Sequence, residues 1–565
     1  MRKGKSKSLL PLVYLALAVA FAAIVLPSTL RPPPDQANAS SALSPDAPPD
    51  DDPETIIQSL QQAGSRTAGA TGVAAPTTTT TVPVRTAPGR GQCYGDPPKA
   101  FDSVYAPPCQ PAFTGDNGGA TAKGVSATEI RIGLSPDLTG VRDCGEIPAT
   151  AEPGESDTDR TYRVLRDFFN ENLELYGRRM RWFFSCAPDG SAGEEAERAR
   201  GVRLAEEFGV FASIGEFSGF VADEATRRGV VHFANIVVVG DDFYAKRTPH
   251  LWGSRTNATK AVDFGSQYLC RRLNGNKPFP TGDRLIDYSK PRKFGILALD
   301  SEDTHAALVD MQTKLRDRCG LTDVPVATYN LDQDAGSNNS QGIATAMARL
   351  KSSGVTTIVF MGEILTLPIH AQQADKNDYY PEWYLMGYGG FETAIDLTRT
   401  ISPTQWRNAF GFSFEEIPVR PAETACFRAY KSMDPANNPN GSICNVLFHS
   451  MTFLTGSIQE AGPNLTVDTL KEALWRAFRR PAEPVWSMGG GFGPTDYTYG
   501  DFAVELWWSP TITHPDGLPG AYVYPHCGRR FSLDSVGDGN PDYMFQDLPT
   551  NTTYGLDTGP GCESR

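Results

Sequence analysis

The sequence predicts an α/β fold: two doubly wound parallel-sheet lobes joined by a multi-strand hinge, preceded by a membrane helix and a disordered linker. Short apolar runs of strand character alternate with helically spaced amphipathic segments from Ile130 to Gly387. The alternation falls into two tandem blocks, broken after Asn257. Ahead of them stand a basic N-terminus, one long uncharged apolar run and a low-complexity stretch. Strands alternating with helices of this length specify parallel sheets covered on both faces.

In the first block Ile130–Ser135, Met180–Ser185 and Val210–Ile214 read as strands, and Val230–Val239 as a strand-like apolar run. Tyr162–Leu175 has helical spacing (Tyr162, Leu165, Phe168, Phe169, Leu173), and Glu194–Phe208 and Ala222–Arg228 read as further helices. In the second block a helix over Ala261–Leu273 leads to strands Phe294–Leu299, Val324–Leu331, Thr357–Phe360 and Trp383–Gly387. Helices over Ala306–Arg318, Ile343–Leu350 and Pro368–Ala374 separate them. Ala409–Phe414 reads as a strand crossing back to the first lobe, followed by helices over Pro421–Ser432, Val446–Gln459 and Val467–Phe478. Met488–Trp508 is Gly-rich and hairpin-like, and the remainder to Arg565 is turn-rich.

At the N-terminus Arg2, Lys3, Lys5 and Lys7 precede Leu9–Leu26, which carries no charge. That run approaches the ~20 residues needed to span a bilayer and exceeds the ~7–15 of a signal-peptide core. The cleavage candidate Ala37-Asn38-Ala39 sits well past it. A single-pass anchor with the basic residues inside is therefore preferred to a cleaved signal that would leave the protein secreted. No Cys follows the run until Cys93, which excludes lipoprotein attachment. Arg31–Gln92 is rich in Pro, Ala, Ser and Thr; it cannot bury enough apolar surface to fold and reads as a tether.

At 565 residues the chain exceeds one core. Its net charge of −14 argues against nucleic acid, which needs a basic face. The ten cysteines all follow the apolar run and include no C-x-x-C pair, so an exported chain would oxidise them to disulfides. Pairing of neighbours is the simplest arrangement: Cys93–Cys109, Cys144–Cys186, Cys270–Cys319, Cys426–Cys444 and Cys527–Cys562. Cys144–Cys186 has a further argument, because a 2-1-3-4-5 strand order sets the first two strands side by side.

In a doubly wound sheet, ligands bind beyond the carboxyl ends of the strands, where strand order reverses. That selects the loops Pro136–Gly140 and Gly215–Phe220 in the first lobe, and Asp300–His305 and Gly362–Leu365 in the second. A small ligand would be clamped between them across the hinge. The candidate ligand-binding residues are Thr139, Phe217, Ser218, Asp303, Thr304, Glu363 and Tyr388. Glu216, Asp303 and Glu363 either suit a cationic or hydroxylated ligand or are solvated loop carboxylates. Phe217 and Tyr388 either stack on a ligand or line the core. His305 carries little weight.

Gly124–Gly140 (GVSATEIRIGLSPDLTG), with Gly354–Gly362 and Pro381–Gly387, resembles the type I periplasmic solute-binding proteins. This family includes the leucine-binding-protein-like, branched-chain amino-acid receptors of ABC transporters. The resemblance covers roughly Gly124 to Pro510. It implies a division into residues 1–30 (basic tail and anchor), 31–92 (linker), 124–256 with 389–490 (lobe 1) and 257–388 (lobe 2). Residues 491–510 would be a hinge hairpin and 511–565 an extension. Amino-acid-binding members hold the ligand carboxylate with small hydroxyl and backbone groups after strands 3 and 4, and the ammonium with an acid in lobe 2. This sequence departs there: Val237–Val239 stands where hydroxyls are usual, Gly389 in place of the acid, and Thr304 and Ile364 in place of covering aromatics.

Asp534–Asp542 resembles an aspartate-rich calcium loop, but Val536 replaces the second carboxylate and no bidentate Glu follows, so a plain turn is preferred. Hydrolase, zincin and P-loop motifs are missing, which argues against an enzyme, and no motif calls for a cofactor or metal. The resulting expectation is a membrane-tethered extracytoplasmic solute-binding protein, the receptor of an ABC-type uptake system, with a small solute and an ABC permease as partners. The rival is a non-transport envelope sensor or interaction protein of the same fold.

Overall fold

The computed structural model describes residues 84–86, 92–135, 144–186, 193–215, 218–284, 286–332, 337–338, 340–362, 364–480, 486–546, 552–559 and 562. All belong to the unit Ala70–Arg565. The apolar run Leu9–Leu26 and most of the linker lie outside the described residues. None of the described helices is long and apolar enough to cross a membrane.

The first lobe is built on β1 (Glu129–Ser135), β2 (Arg179–Phe184), β3 (Ala212–Gly215), β4 (Val231–Ala234) and β5 (Leu251–Gly253). Their order is 2-1-3-4-5, all parallel, with the short strand Gly145–Glu146 antiparallel on the outer edge of β2. Helix α1 (Asp157–Asn172) starts where the Ser156 hydroxyl accepts the Asp159 N–H, satisfying a donor the helix cannot. Its apolar stripe, Tyr162, Leu165, Phe168 and Phe169, packs with Ile130, Ile132 and Trp182 on one face of the sheet. Helices α2 (Glu194–Glu206) and α3 (Gly219–Arg227) cover the other face through Leu204, Ala205, Val221 and Ala225. The apolar run Val230–Val239 is strand only as far as Ala234, because a turn closed by the Val237 N–H on the Asn235 carbonyl ends the extended backbone.

The second lobe begins with α4 (Ala258–Tyr268), capped by Asn257. Strands β6 (Phe294–Leu299), β7 (Val326–Tyr329), β8 (Thr357–Met361), β9 (Glu382–Met386) and β10 (Ala409–Ser413) repeat the parallel 2-1-3-4-5 order. Successive side chains alternate between two cores. Ile296, Ala298, Val359 and Met361 meet α4 and α5 (Glu302–Cys319), while Leu297, Ile358 and Phe360 meet α6 (Ser340–Ser352) and α7 (Leu367–Lys376). Each lobe therefore has helices on both faces of its sheet.

Here the structure corrects the sequence-based boundaries. Ala409–Ser413 is the fifth strand of the second lobe, pairing in parallel with β9 and antiparallel with β11 (Ala503–Thr513). All five of its residues are buried. Gly411 sits at φ 147°, where a side chain would run into the Leu385 carbonyl of β9. An apolar run buried on both faces does not reveal its neighbours. Lobe 1 resumes only after this strand, where α8 (Ala425–Met433), α9 (Phe448–Ala461) and α10 (Val467–Ala477) join the first core. Nor is 511–565 merely a turn-rich appendage, since β12 (Pro519–Val523) and β13 (Arg530–Phe531) extend the second sheet beside β11. Residues 93–123, assigned to no lobe from sequence, bury Phe101, Tyr105 and Ala106 in the first core. The disulfides are Cys93–Cys109, Cys144–Cys186, Cys270–Cys319, Cys426–Cys444 and Cys527–Cys562.

Candidate functional site

The carboxyl ends of the two sheets meet at a seam. After β9 of the second lobe, Tyr388 is fully buried and its hydroxyl donates to the Val238 carbonyl, just beyond β4 of the first lobe, at 3.5 Å. Val238 also packs against the apolar cores of both lobes. Tyr388 thus makes an interlobe contact. On the first lobe, β1 ends at Ser135, only 1% exposed, whose hydroxyl has no partner among the described residues. A buried hydroxyl left unpaired costs stability, so a polar group arriving at this strand end would be welcome.

The other sequence-selected residues divide. Thr139, Glu216, Phe217 and Glu363 lie outside the described residues, and of Asp303 only the backbone, in the first turn of α5, is described. Ser218 is occupied: its hydroxyl accepts the Val221 N–H at 3.1 Å as the cap of α3 and donates to Glu197 at 2.5 Å. Thr304 is occupied too, closing a capping box with Ser301 and donating to the Leu299 carbonyl at 2.5 Å. Neither hydroxyl is free for a ligand in this conformation. His305 is exposed. Gly389 has φ 76°, a left-handed conformation that favours glycine over the acid expected there.

His232, on β4 beside β3, is a core residue rather than a binding group. Its Nδ1 lies 2.7 Å from the Ser213 hydroxyl and burial pushes its pKa down to about 4, so the ring is neutral. In the Asp534–Asp542 loop, Asp538 accepts from Arg271 Nε and Nη2 at 2.6 and 2.7 Å, and Asn540 accepts from Arg292 at 3.1 Å. Those oxygens fasten the loop to the second lobe.

The chain passes between lobes along Ser254–Asn257, Phe414–Arg420 and Tyr499–Phe502. Gly253 donates to the Tyr497 carbonyl at 2.9 Å and accepts the Tyr499 N–H at 3.1 Å, zipping the first passage to the third. Arg255 and Glu415 form an ion pair at 2.8 Å with side chains only 10% and 8% exposed. Beside it lies Glu392, in the 3-10 turn Phe391–Thr393. Burial pushes its carboxyl up to about 7; the Ser413 hydroxyl opposes the shift without forming a hydrogen bond of good geometry, and Glu415 adds to it.

Two chain extensions grip these passages. From the N-terminal side, the Tyr105 hydroxyl donates to Glu416 at 2.6 Å and accepts the Met488 N–H at 2.6 Å. From the C-terminal side, Arg530 donates to the carbonyls of Phe414 and Phe502, each at 3.3 Å, and of Glu415 at 2.5 Å. Arg255, Glu415, Tyr105 and Arg530 were missed in the sequence. The Cys93–Cys109 and Cys527–Cys562 staples were the available signal that both extensions are ordered.

No family model and no curated protein matches the sequence. Among solved structures, the chain is similar to a possible leucine/isoleucine/valine-binding protein from Rhodopirellula baltica, at 12% identity over 72% of this chain and 98% of that one, TM-score 0.48. It is similar to the branched-chain amino acid transporter substrate-binding protein of Streptococcus pneumoniae in complex with isoleucine, at 14% identity over 70% and 100%, TM-score 0.45. A fatty acid ABC transporter substrate-binding protein from Thermomonospora curvata gives 14% identity over 75% and 98%, TM-score 0.48. Strand order, not superposition, carries the fold. The paired 2-1-3-4-5 lobes, the passages between them and the seam at Tyr388 are this chain's own features.

Proposed function

We propose that the protein is a membrane-tethered extracytoplasmic solute-binding protein, the receptor component of an ABC-type uptake system, which closes two lobes on a small solute. The observation that carries this reading is the Tyr388–Val238 contact. In a doubly wound sheet the crevice for a ligand opens at the carboxyl ends of the strands, and this contact joins the carboxyl ends of both sheets. The unpartnered Ser135 hydroxyl at the end of β1 adds a group that a solute would satisfy. The membrane anchor rests on the Leu9–Leu26 run and the permease on the sequence resemblance.

A second reading, a non-transport envelope sensor or interaction protein, is favoured by the passages themselves. Tyr105 and Arg530 tie down the second of them from opposite ends of the chain, which stiffens a hinge that a transport receptor would flex. Thermal melting of the protein against a panel of amino acids, aromatic acids and fatty acids tests solute binding. A ligand that binds only the folded state at 100 times its Kd stabilises by about 2.7 kcal/mol. A panel in which nothing raises the melting temperature favours the second reading.

A further inference from the structure

The described residues include a second concavity, on the antiparallel flank of the second lobe. It encloses about 530 Å³ between the end of α4, β11 and the loop that follows β12. We infer that this cavity is a binding site for a small organic anion.

The charge count around the cavity points that way. Arg272, Arg529 and Arg530 line it, with Glu505 the one acid among the lining residues. Glu505 is fully committed: it accepts from the Tyr268 hydroxyl and from Arg272, each at 2.7 Å, and from the Tyr543 hydroxyl. Arg272 is thereby neutralised. Arg530 spends its terminal nitrogens on uncharged backbone carbonyls, and its buried Nε has no partner among the described residues. Burial holds its pKa below the usual guanidinium value. Glu415 is engaged by Arg255, and the Glu416 carboxylate, which keeps its charge when it accepts from the Tyr105 hydroxyl, offsets the Arg530 charge. Arg529 is exposed and its side chain makes no hydrogen bond or ion pair among the described residues. A concave surface whose uncompensated positive charge sits on the exposed Arg529 attracts an anion, and a planar fork favours carboxylate or phosphoryl oxygens.

The backbone at the rim supports the same conclusion. His526 and Cys527 adopt φ of 54° and 61°, left-handed conformations that non-glycine residues rarely hold. Strain of this kind persists where surrounding structure enforces it, and it concentrates at ligand sites. Here the Cys527–Cys562 bond anchors the turn, which contributes His526 and Arg529 to the rim. Phe531 and the buried Val536 supply an apolar part of the remaining wall, beside Tyr268 and Ser535. The volume falls in the range of small-molecule pockets, about 300–1,000 Å³, and exceeds what a bare inorganic anion fills. The ligand is therefore a carboxylate or phosphate ester on an apolar, ring-sized body.

Phenyl phosphate and benzoate are the probes, and neutral benzamide the control, titrated calorimetrically into the purified full chain. Both anions should bind and benzamide should not. Arg529→Ala should weaken phenyl phosphate at least about tenfold, as expected for losing a charge-assisted hydrogen bond. Arg529→Glu should abolish binding. Ser535→Trp, which obstructs the exposed rim and leaves every charge in place, should abolish it too. Equal affinity in the wild type and Arg529→Glu, equal binding of benzamide, or no binding of either anion at about 10 mM, overturns the assignment.

Discussion

The Tyr388 hydroxyl of the second lobe lies 3.5 Å from the Val238 carbonyl of the first, so the two sheets meet at the ends where doubly wound folds bind ligands. At that length the hydrogen bond itself contributes little. The lobes are joined instead at the passages between them, where buried charge is concentrated.

Removing one partner of the Arg255–Glu415 pair leaves the other charge buried and uncompensated. Glu415→Gln or Arg255→Met should each lower stability by about 3–5 kcal/mol. The double variant Arg255→Met/Glu415→Leu should recover most of that loss, since an apolar pair of similar volume avoids desolvating two charges. Denaturant melts of the single and double variants provide the check. Additive losses would mean that the two side chains act separately.

Stability should depend on pH through Glu392 in an unusual direction. Its carboxyl is raised from 4.5 to about 7 by burial, with Glu415 and Arg255 as the charges nearby and Tyr522 and Tyr524 also coupled to it. Between those values the unfolded chain releases its proton while the folded chain keeps it. The Glu392 contribution is therefore most favourable below 4.5 and is lost as pH rises to about 7, by roughly 3 kcal/mol in all. His370 works oppositely. It is fully buried, neither nitrogen has a hydrogen-bond partner among the described residues, and burial lowers its pKa from 6.5 to about 3. Its contribution is intact above 6.5 and is lost as pH falls toward 3. Urea melts across this range should show Glu392→Gln gaining on the wild type as pH rises. A difference independent of pH would contradict the assignment.

How much of this was legible in the sequence depends on what each residue's pattern encodes. Strand Phe294–Leu299 followed from its apolar run, while the expectation of the 2-1-3-4-5 order, which both sheets adopt, rested on its being common in doubly wound sheets. The lobe to which Ala409–Ser413 belongs did not, because a strand buried on both faces carries no period that names its neighbours. Tyr105 and Arg530 were invisible because neither sits in a periodic segment, and their partners are carbonyls or acids hundreds of residues away. Ser218 and Thr304 show why a hydroxyl at a strand–helix junction is ambiguous in sequence: the group that suits a ligand there is also the one that caps the helix.

Branched-chain amino acids should bind weakly or not at all. The left-handed Gly389 and the Val237–Val239 run remove the usual partners of the ammonium and carboxylate groups. One buried, unpaired ligand charge costs ~3–5 kcal/mol, a factor of several hundred or more in affinity. Calorimetry with leucine, isoleucine and valine should give no micromolar binding. Micromolar binding of leucine would show that other groups at the seam pair both charges.

The full protein should stay in the membrane pellet after a carbonate wash, with its basic segment intact. A soluble form starting near Ser40 would instead establish cleavage after Ala37-Asn38-Ala39.

The central claim is that both lobes hold one solute at the seam. Hydrogen–deuterium exchange, with and without the solute that raises the melting temperature most, tests it directly. Amides after β1 and β3 of the first lobe and after β6 and β8 of the second should gain protection together. Protection confined to one lobe, or to the cavity around Arg529, would contradict the account.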